Sequence, residues 1–207
     1  MSDPDDAALL RAWQAGDAAA GNALVRRHFP TLYRFFRSRV DDGVADLVQR
    51  TFLACVESRD RLPDGVEFRA WALGIARKQL LMLLRKEHRA GRVLETRMVS
   101  GEARGPTASA ALADGQKQRL LLAALRRLPV DLQLVLELHY WEELPLAEIA
   151  IVFEIPTGTV KSRLHRARTS LAEELQRAEL DPSGVTSTMQ GLETWARALR
   201  ATRSPSS

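Results

Sequence analysis

Cysteine is nearly absent. The single Cys55 leaves no partner for an internal disulfide, which fits a reducing compartment. It stands in an apolar helical context, where a thiol is expected to be buried and inert. No apolar run is long enough to cross a membrane. The opening "MSDPDDAALL" is acidic and lacks the basic-then-apolar order of a secretion signal, so a cytoplasmic chain is expected. Histidine is scarce too. His28, His88, His139 and His165 form no pair at a metal-binding spacing, and "HYWEE" lacks the second histidine of a zinc-protease helix. No glycine-rich phosphate loop or Cys–His motif is present. The expectation is a chain that is not an enzyme, with no metal and no cofactor. Strict apolar–polar alternation, the mark of a half-buried strand, is also missing. The 12 glycines and 9 prolines cluster as punctuation between helical stretches. The fold class expected is therefore all-α.

What is present is an ordinary core-forming composition. The 207 residues are 45% hydrophobic, enough for one large domain or two small ones. The net charge of +4 is modest, and a small excess can hide local patches of one sign. Helical blocks are expected from Asp5 to Ala15, Ala18 to Val40, Asp46 to Ser58 and Phe68 to about Ala90. Leu24, Val25, Phe29, Leu32, Tyr33 and Phe36 form the apolar side of the second block. Pro30 suits the first turn of a new helix there. "SGEARGPTASAALADG" then breaks the pattern. The stretch from Gly91 to Asp114 reads as a flexible linker between a first module, residues 5–90, and a second, residues 115–180. In the second module Leu121, Leu122, Leu125 and Leu128 share a stripe that Pro129 ends. Helices are expected over Asp131–Trp141 and Leu146–Phe153. Residues 181–207 form an extension, in which Met189, Leu192, Trp195, Ala196 and Leu199 are spaced for one more amphipathic helix. "ATRSPSS" is expected to be disordered.

The most informative stretch is "PTGTVKSRLHRARTSL", Pro156 to Leu171. It has four cations and no acid. Val160, Leu164, Ala167 and Leu171 fall on one apolar stripe of a helix. Ser162, His165, Arg166 and Thr169 lie opposite, flanked by Lys161, Arg163 and Arg168. Thr157 or Thr159 is placed to cap the helix start. A short helix, a turn and a second helix with a basic outer face form a helix-turn-helix pattern, whose second helix enters a DNA major groove. Arginine and lysine there read guanine edges or hold phosphates. A solvated basic face on a packed helix is the plainer alternative. It is disfavoured because the charge is of one sign, faces away from a clean stripe and follows a helix and a turn.

"LPVDLQLVLELHYWEELPLAEIAIVFEIPTGTVKSRLHRAR" resembles the promoter −35-binding domain of bacterial sigma factors of the small extracytoplasmic-function group. Two motifs of the first module agree: "DLVQRTFL" (Asp46–Leu53) resembles the clamp-binding helix and "FRAWALGIARKQLLMLLRK" (Phe68–Lys86) the −10 recognition helix. The resemblance runs from about Leu9 to Leu180. It implies binding to core RNA polymerase through Asp46, Gln49 and Arg50, with Leu47, Phe52 and Leu53 in the core. It implies capture of the melted −10 strand near Arg59, Arg61, Arg69, Arg77, Lys78 and Arg85, with a base pocket in the loop Glu57–Glu67 and Trp71 as a core anchor. It implies −35 duplex contact by Thr157, Thr159, Lys161, Ser162, Arg163, His165 and Arg166. Promoter DNA and an anti-sigma factor are the further partners it implies, with no membrane insertion. Three positions depart from the family pattern: Lys78 stands where asparagine is usual, Met82 where an acid or amide is usual, and Arg50 where glutamate is frequent. A two-component-type regulator shares "EIA…TVK" residues, but its receiver half would show strands, and the N-terminal half here has none.

Overall fold

The computed structural model describes residues 5–40, 42–62, 65–89, 110–178 and 182–192. Among them every regular element is helical. The helices are α1 (Asp6–Gln14), α2 (Ala18–Arg37), α3 (Val44–Ser58), α4 (Phe68–Arg89), α5 (Ala110–Arg127), α6 (Val130–Tyr140), α7 (Leu146–Phe153), α8 (Thr157–Arg177) and α9 (Pro182–Gln190). A short 3-10 turn, Arg59–Arg61, follows α3. None of the described helices is long and apolar enough to cross a membrane. The chain divides into two compact units. The first is built on α1 to α4, and the second on α5, α6, α8 and α9; Ala150–Ile155 groups with the first.

In the first unit the helix starts follow from short acidic side chains. Asp5 accepts from the Ala8 amide at 2.7 Å, and Asp17 accepts from the Ala19 amide at 2.8 Å, filling donors that a helix start leaves unpaired. Gly43 precedes α3 with φ +75°, a left-handed conformation that glycine adopts without Cβ strain, so α3 begins at Val44, two residues before the expected Asp46. Pro30 does not divide α2. It sits on the exposed side of a continuous helix.

The core stripe of α2 is Ala20, Leu24, His28, Leu32, Phe35 and Phe36, all buried. Phe29 and Tyr33, expected in that core, are exposed and stack on each other at 5.9 Å. His28 occupies the place that the apolar pattern assigned to them. Its Nε2 lies 2.6 Å from Asp6 Oδ2, and its ring lies 5.1 Å from Phe68. Burial lowers its pKa below the usual 6.5, although Asp6 pulls the other way; Arg69 and Arg27 lower it further. Arg39, also buried, lays its guanidinium over the Phe35 ring at 4.1 Å and donates to the Phe35 carbonyl and to Ser38 Oγ at the end of α2. Cys55 is buried as expected, and burial pushes its thiol up to about 12, which removes the reactive thiolate.

In the second unit α8 packs on α5, α6 and α9. Leu132, Leu134, Val135, Leu136 and Leu138 make α6 apolar on almost every side, as suits a central helix. Buried Gln133 donates to the Leu128 carbonyl at 2.6 Å and the Arg126 carbonyl at 3.3 Å, which satisfies the open end of α5. Helix α5 begins at Ala110, five residues inside the stretch read as linker; residues 90–109 lie outside the described residues. The extension contributes α9, which begins at Pro182 in the favoured first-turn position and packs on α8 with Val185 buried. Leu192 is buried just after it, whereas Trp195, Ala196, Leu199 and the "ATRSPSS" end lie outside the described residues.

Candidate functional site

Helix α7 has its expected boundaries at Leu146 and Phe153, and a turn at Glu154–Pro156 leads into α8, which begins at Thr157, inside the stretch read as turn and cap. The turn is closed by backbone bonds, Glu154 N–H to the Ile151 carbonyl and Ile155 N–H to the Ala150 carbonyl, both 3.1 Å. Glu154 takes φ +55° there, the left-handed conformation that lets the chain reverse. The expected threonine cap is absent. Pro156 holds the cap position without a side-chain bond, because Thr157 is already the first helical residue.

The two sides of α8 differ chemically. Val160, Ala167, Leu171 and Leu175 are buried, and Leu164 is half-buried at the edge. Thr157, Thr159, Lys161, Ser162, His165, Arg166, Arg168 and Thr169 are exposed. Ser162 Oγ already donates to the Thr159 carbonyl at 3.1 Å and the Gly158 carbonyl at 3.3 Å. Arg163 is set apart from this face. It is half-buried, and its Nη1 lies 3.8 Å from Asp131 Oδ2 on α6, so part of its charge is engaged inside the unit. Arg166, one turn along, projects into solvent.

The outer stripe of α3 is different. Asp46, Gln49, Arg50, Leu53 and Val56 follow one another at helical spacing and all are exposed. Leu47 and Phe52 are buried as expected, but Leu53, assigned to the core, is 53% exposed, and Val56 is 44% exposed. The core positions of α3 are Val44, Leu47, Val48, Thr51, Phe52 and Cys55, a stripe that leaves no place for residue 53. Arg50 Nη2 pairs with Asp46 Oδ2 at 2.9 Å, neutralising that turn of the surface. A groove of about 440 Å³ opens beside it, with Leu47, Met82 and Leu83 among its apolar lining and Arg50, Arg85 and Lys86 among its cations. Met82 is 60% exposed in this groove.

The cations expected along α4 do not share one side. Lys78 and Arg85 stand four and three residues from Met82 on one stripe and are exposed. Arg69 and Arg77 lie round the helix from them and are half-buried. Trp71 packs its ring edge on Phe68 at 5.9 Å, consistent with an anchor. In the loop before α4, Arg61 is exposed, while Arg59 is held over the Trp13 ring, 5.8 Å from guanidinium carbon to ring centroid. Sequence reading missed Leu53, Val56 and the contact of Trp13 with the loop. The first two were legible as a heptad-like continuation of Asp46, Gln49 and Arg50. The third joins residues 46 apart in the chain and left no local signal.

Residues 24–90 match the Sigma-70 region 2 family, and residues 118–171 match the Sigma-70 region 4 family. The RNA polymerase sigma factor CarQ of Myxococcus xanthus is 30% identical over 176 residues, covering 83% of this chain and 98% of CarQ. The ECF RNA polymerase sigma-E factor of Escherichia coli K12 is 26% identical over 180 residues, covering 83% of this chain and 94% of that protein. Among solved structures, CnrH in complex with the cytosolic domain of CnrY aligns with a TM-score of 0.58 at 22% identity, covering 83% of this chain and 97% of CnrH. The sigma factor RpoE in complex with the anti-sigma factor NepR, from Bartonella quintana, aligns with a TM-score of 0.55 at 24% identity, covering 74% and 93%. The two structural likenesses bear on the fold.

Proposed function

The chain belongs to the extracytoplasmic-function group of RNA polymerase sigma factors, regulatory and non-enzymatic proteins of transcription initiation, and from that premise we propose how its surfaces divide the work. The first unit binds the clamp of core RNA polymerase through the α3 stripe of Asp46, Gln49 and Arg50, with Leu53 and Val56 as its apolar anchors. Exposed aliphatic groups beside an internally paired charge suit a protein partner, because burying them is favourable and little charge is stranded. The second unit reads the −35 duplex with the exposed side of α8. Arg166 takes a base edge or phosphate, Lys161 and His165 stand beside it, and Thr157, Thr159 and Ser162 line the helix start. Arg163 serves as a flanking phosphate contact because Asp131 shares its charge.

The first unit also captures the melted −10 strand. The loop from Glu57 to Glu67 receives an unstacked base, and Arg61, Lys78 and Arg85 hold phosphates, with Arg69 and Arg77 as lesser contributors. Capture of extruded bases favours the open duplex, so the step needs no nucleotide hydrolysis. The protein works in the cytoplasm, and an anti-sigma factor that covers these faces holds it inactive. Among the solved structures of like fold, RpoE is in complex with the anti-sigma factor NepR, and CnrH with the cytosolic domain of CnrY.

The observation that carries this reading is the pair of unlike outward stripes, mixed apolar on α3 and cationic on α8, in the two segments that match Sigma-70 regions 2 and 4. The test is transcription by bacterial core RNA polymerase plus the purified chain on a randomised promoter library. Enriched −35 and −10 elements among the transcripts are expected. Duplex binding by the chain without any transcript from core polymerase would overturn it.

A further inference from the structure

The loop assigned to the −10 base is tied down by a helix outside the region 2 match. Helix α1 ends at Trp13 and Gln14, ahead of the first matched residue, 24. Gln14 Nε2 donates to the Arg59 carbonyl at 3.1 Å. The Leu62 amide donates to the same carbonyl at 3.3 Å, closing the turn. One oxygen therefore fixes the turn both from within and from α1. Trp13 spans the loop's two borders. The Arg59 guanidinium lies over its ring at 5.8 Å, and the Phe68 ring meets it edge-on at 6.1 Å. Phe68 is the first residue of α4 and is buried, so the indole bridges the start and end of the segment that must shape a pocket.

Gly21 makes room for this arrangement. A Cβ there would come within 2.4 Å of Cδ1 and Nε1 of the buried Trp13 indole, so the ring would have to shift. The result also sorts the two loop arginines. Arg59 is drawn back toward α1, with its side chain 33% exposed and its Nε 3.4 Å from Asp60 Oδ1. Arg61 remains exposed to a ligand.

A pocket that selects one base against others must hold its walls to a fraction of an ångström, and a loop gains that precision only from supports outside itself. We propose that Trp13 and Gln14, seated by Gly21, are positioning residues that set −10 base selectivity through the Arg59–Arg61 turn. The proposal rests on the reading that this loop receives the −10 strand.

The experiment uses the full chain with core polymerase, and promoters whose −10 element is either the one enriched from the library or changed at single bases. The readout is the ratio of transcription from the two. Gln14→Leu keeps the shape and removes the donor; a loss of one hydrogen bond of about 1 kcal/mol predicts a fall in that ratio of roughly fivefold. Trp13→Phe, which retains a ring against Phe68 but does not reach Arg59, is expected to act in the same direction. Affinity for core polymerase and for a −35 duplex should stay unchanged, which loss of folding would not allow. Arg61→Ala is the companion variant. If Arg61→Ala lowers transcription from both promoters, as loss of a phosphate contact should, while Gln14→Leu and Trp13→Phe both fold and leave the ratio unchanged, the positioning role is overturned. A uniform fall on all promoters with Gln14→Leu or Trp13→Phe, tracking polymerase affinity or melting temperature, overturns it equally. If Arg61→Ala leaves transcription from both promoters untouched, the loop does not hold the −10 strand, and the reading beneath the proposal fails with it.

Discussion

Helices α3 and α8 are both amphipathic, and each turns one side to solvent, yet the two outward sides are built on opposite rules. On α8 the exposed side from Thr157 to Thr169 carries Lys161, His165, Arg166 and Arg168 and no acid, the first exposed acid being Glu173 further along. On α3 the exposed side pairs Asp46 with Arg50 and continues into Leu53 and Val56. A phosphate backbone rewards unpaired positive charge through counterion release, and a protein partner rewards aliphatic area with its charges already matched. The contrast is the ground for proposing a nucleic-acid face on α8 and a protein face on α3.

The strongest way to break that contrast is Leu53→Lys. A charge at the centre of an apolar anchor should cost about 2 kcal/mol or more in affinity for core polymerase, measured by titration of a labelled chain, with −35 duplex affinity unchanged. Arg166→Ala is the reciprocal change. It should weaken −35 duplex binding by about 1–3 kcal/mol and relax the preference at one base position, as read by competition with single-base variants. A loss that is equal on every sequence would make Arg166 a phosphate contact instead. Lys161→Ala should be smaller and general, lowering the slope of log affinity against log salt by about 1.

Acid should separate the two units as well. His28 is buried with a lowered pKa, and His165 is exposed. Below pH 6.5 the unfolded chain takes up a proton at His28 that the folded unit resists. Stability is therefore present above that pH and falls as pH drops toward the folded value. Arg27 and Arg69 add to the resistance, while Asp6 opposes it. Thermal melts from pH 7.5 to 5 should show the first unit losing stability over this window, and His28→Gln should flatten that loss. The smallest effect is expected from Asp46→Ala. Removing one member of an exposed ion pair should change stability by less than about 1 kcal/mol in a denaturant titration.

Helix placement was largely legible in the sequence because apolar periodicity and turn residues act locally. Leu146 and Phe153 fall where the pattern put them, and the α8 stripe of Val160, Ala167 and Leu171 is buried as read. Errors arose where a polar residue took a core position or a long-range contact intervened. His28 entered the α2 core because Asp6 waits on α1, which moved Phe29 and Tyr33 outward. Leu53 was read as core from its hydrophobicity alone, yet the stripe of Leu47, Val48, Thr51, Phe52 and Cys55 already fills the buried side. The candidate site was legible on α8, where one short segment holds it. It was less legible on α4, where Arg69 and Arg77 share a sequence with Lys78 and Arg85 but not a side of the helix. The support that Trp13 and Gln14 give to Arg59 depends on the packing of α1 and could not be read from spacing.

The central claim is that α3 meets protein and α8 meets DNA in the same initiation complex. A photo-crosslinking amino acid placed at position 53 or at position 165, in the full chain bound to core polymerase and promoter, tests it directly. The account predicts that residue 53 crosslinks to a polymerase subunit and residue 165 to −35 DNA. Crosslinks from residue 53 to DNA, or from residue 165 to polymerase alone, would contradict it.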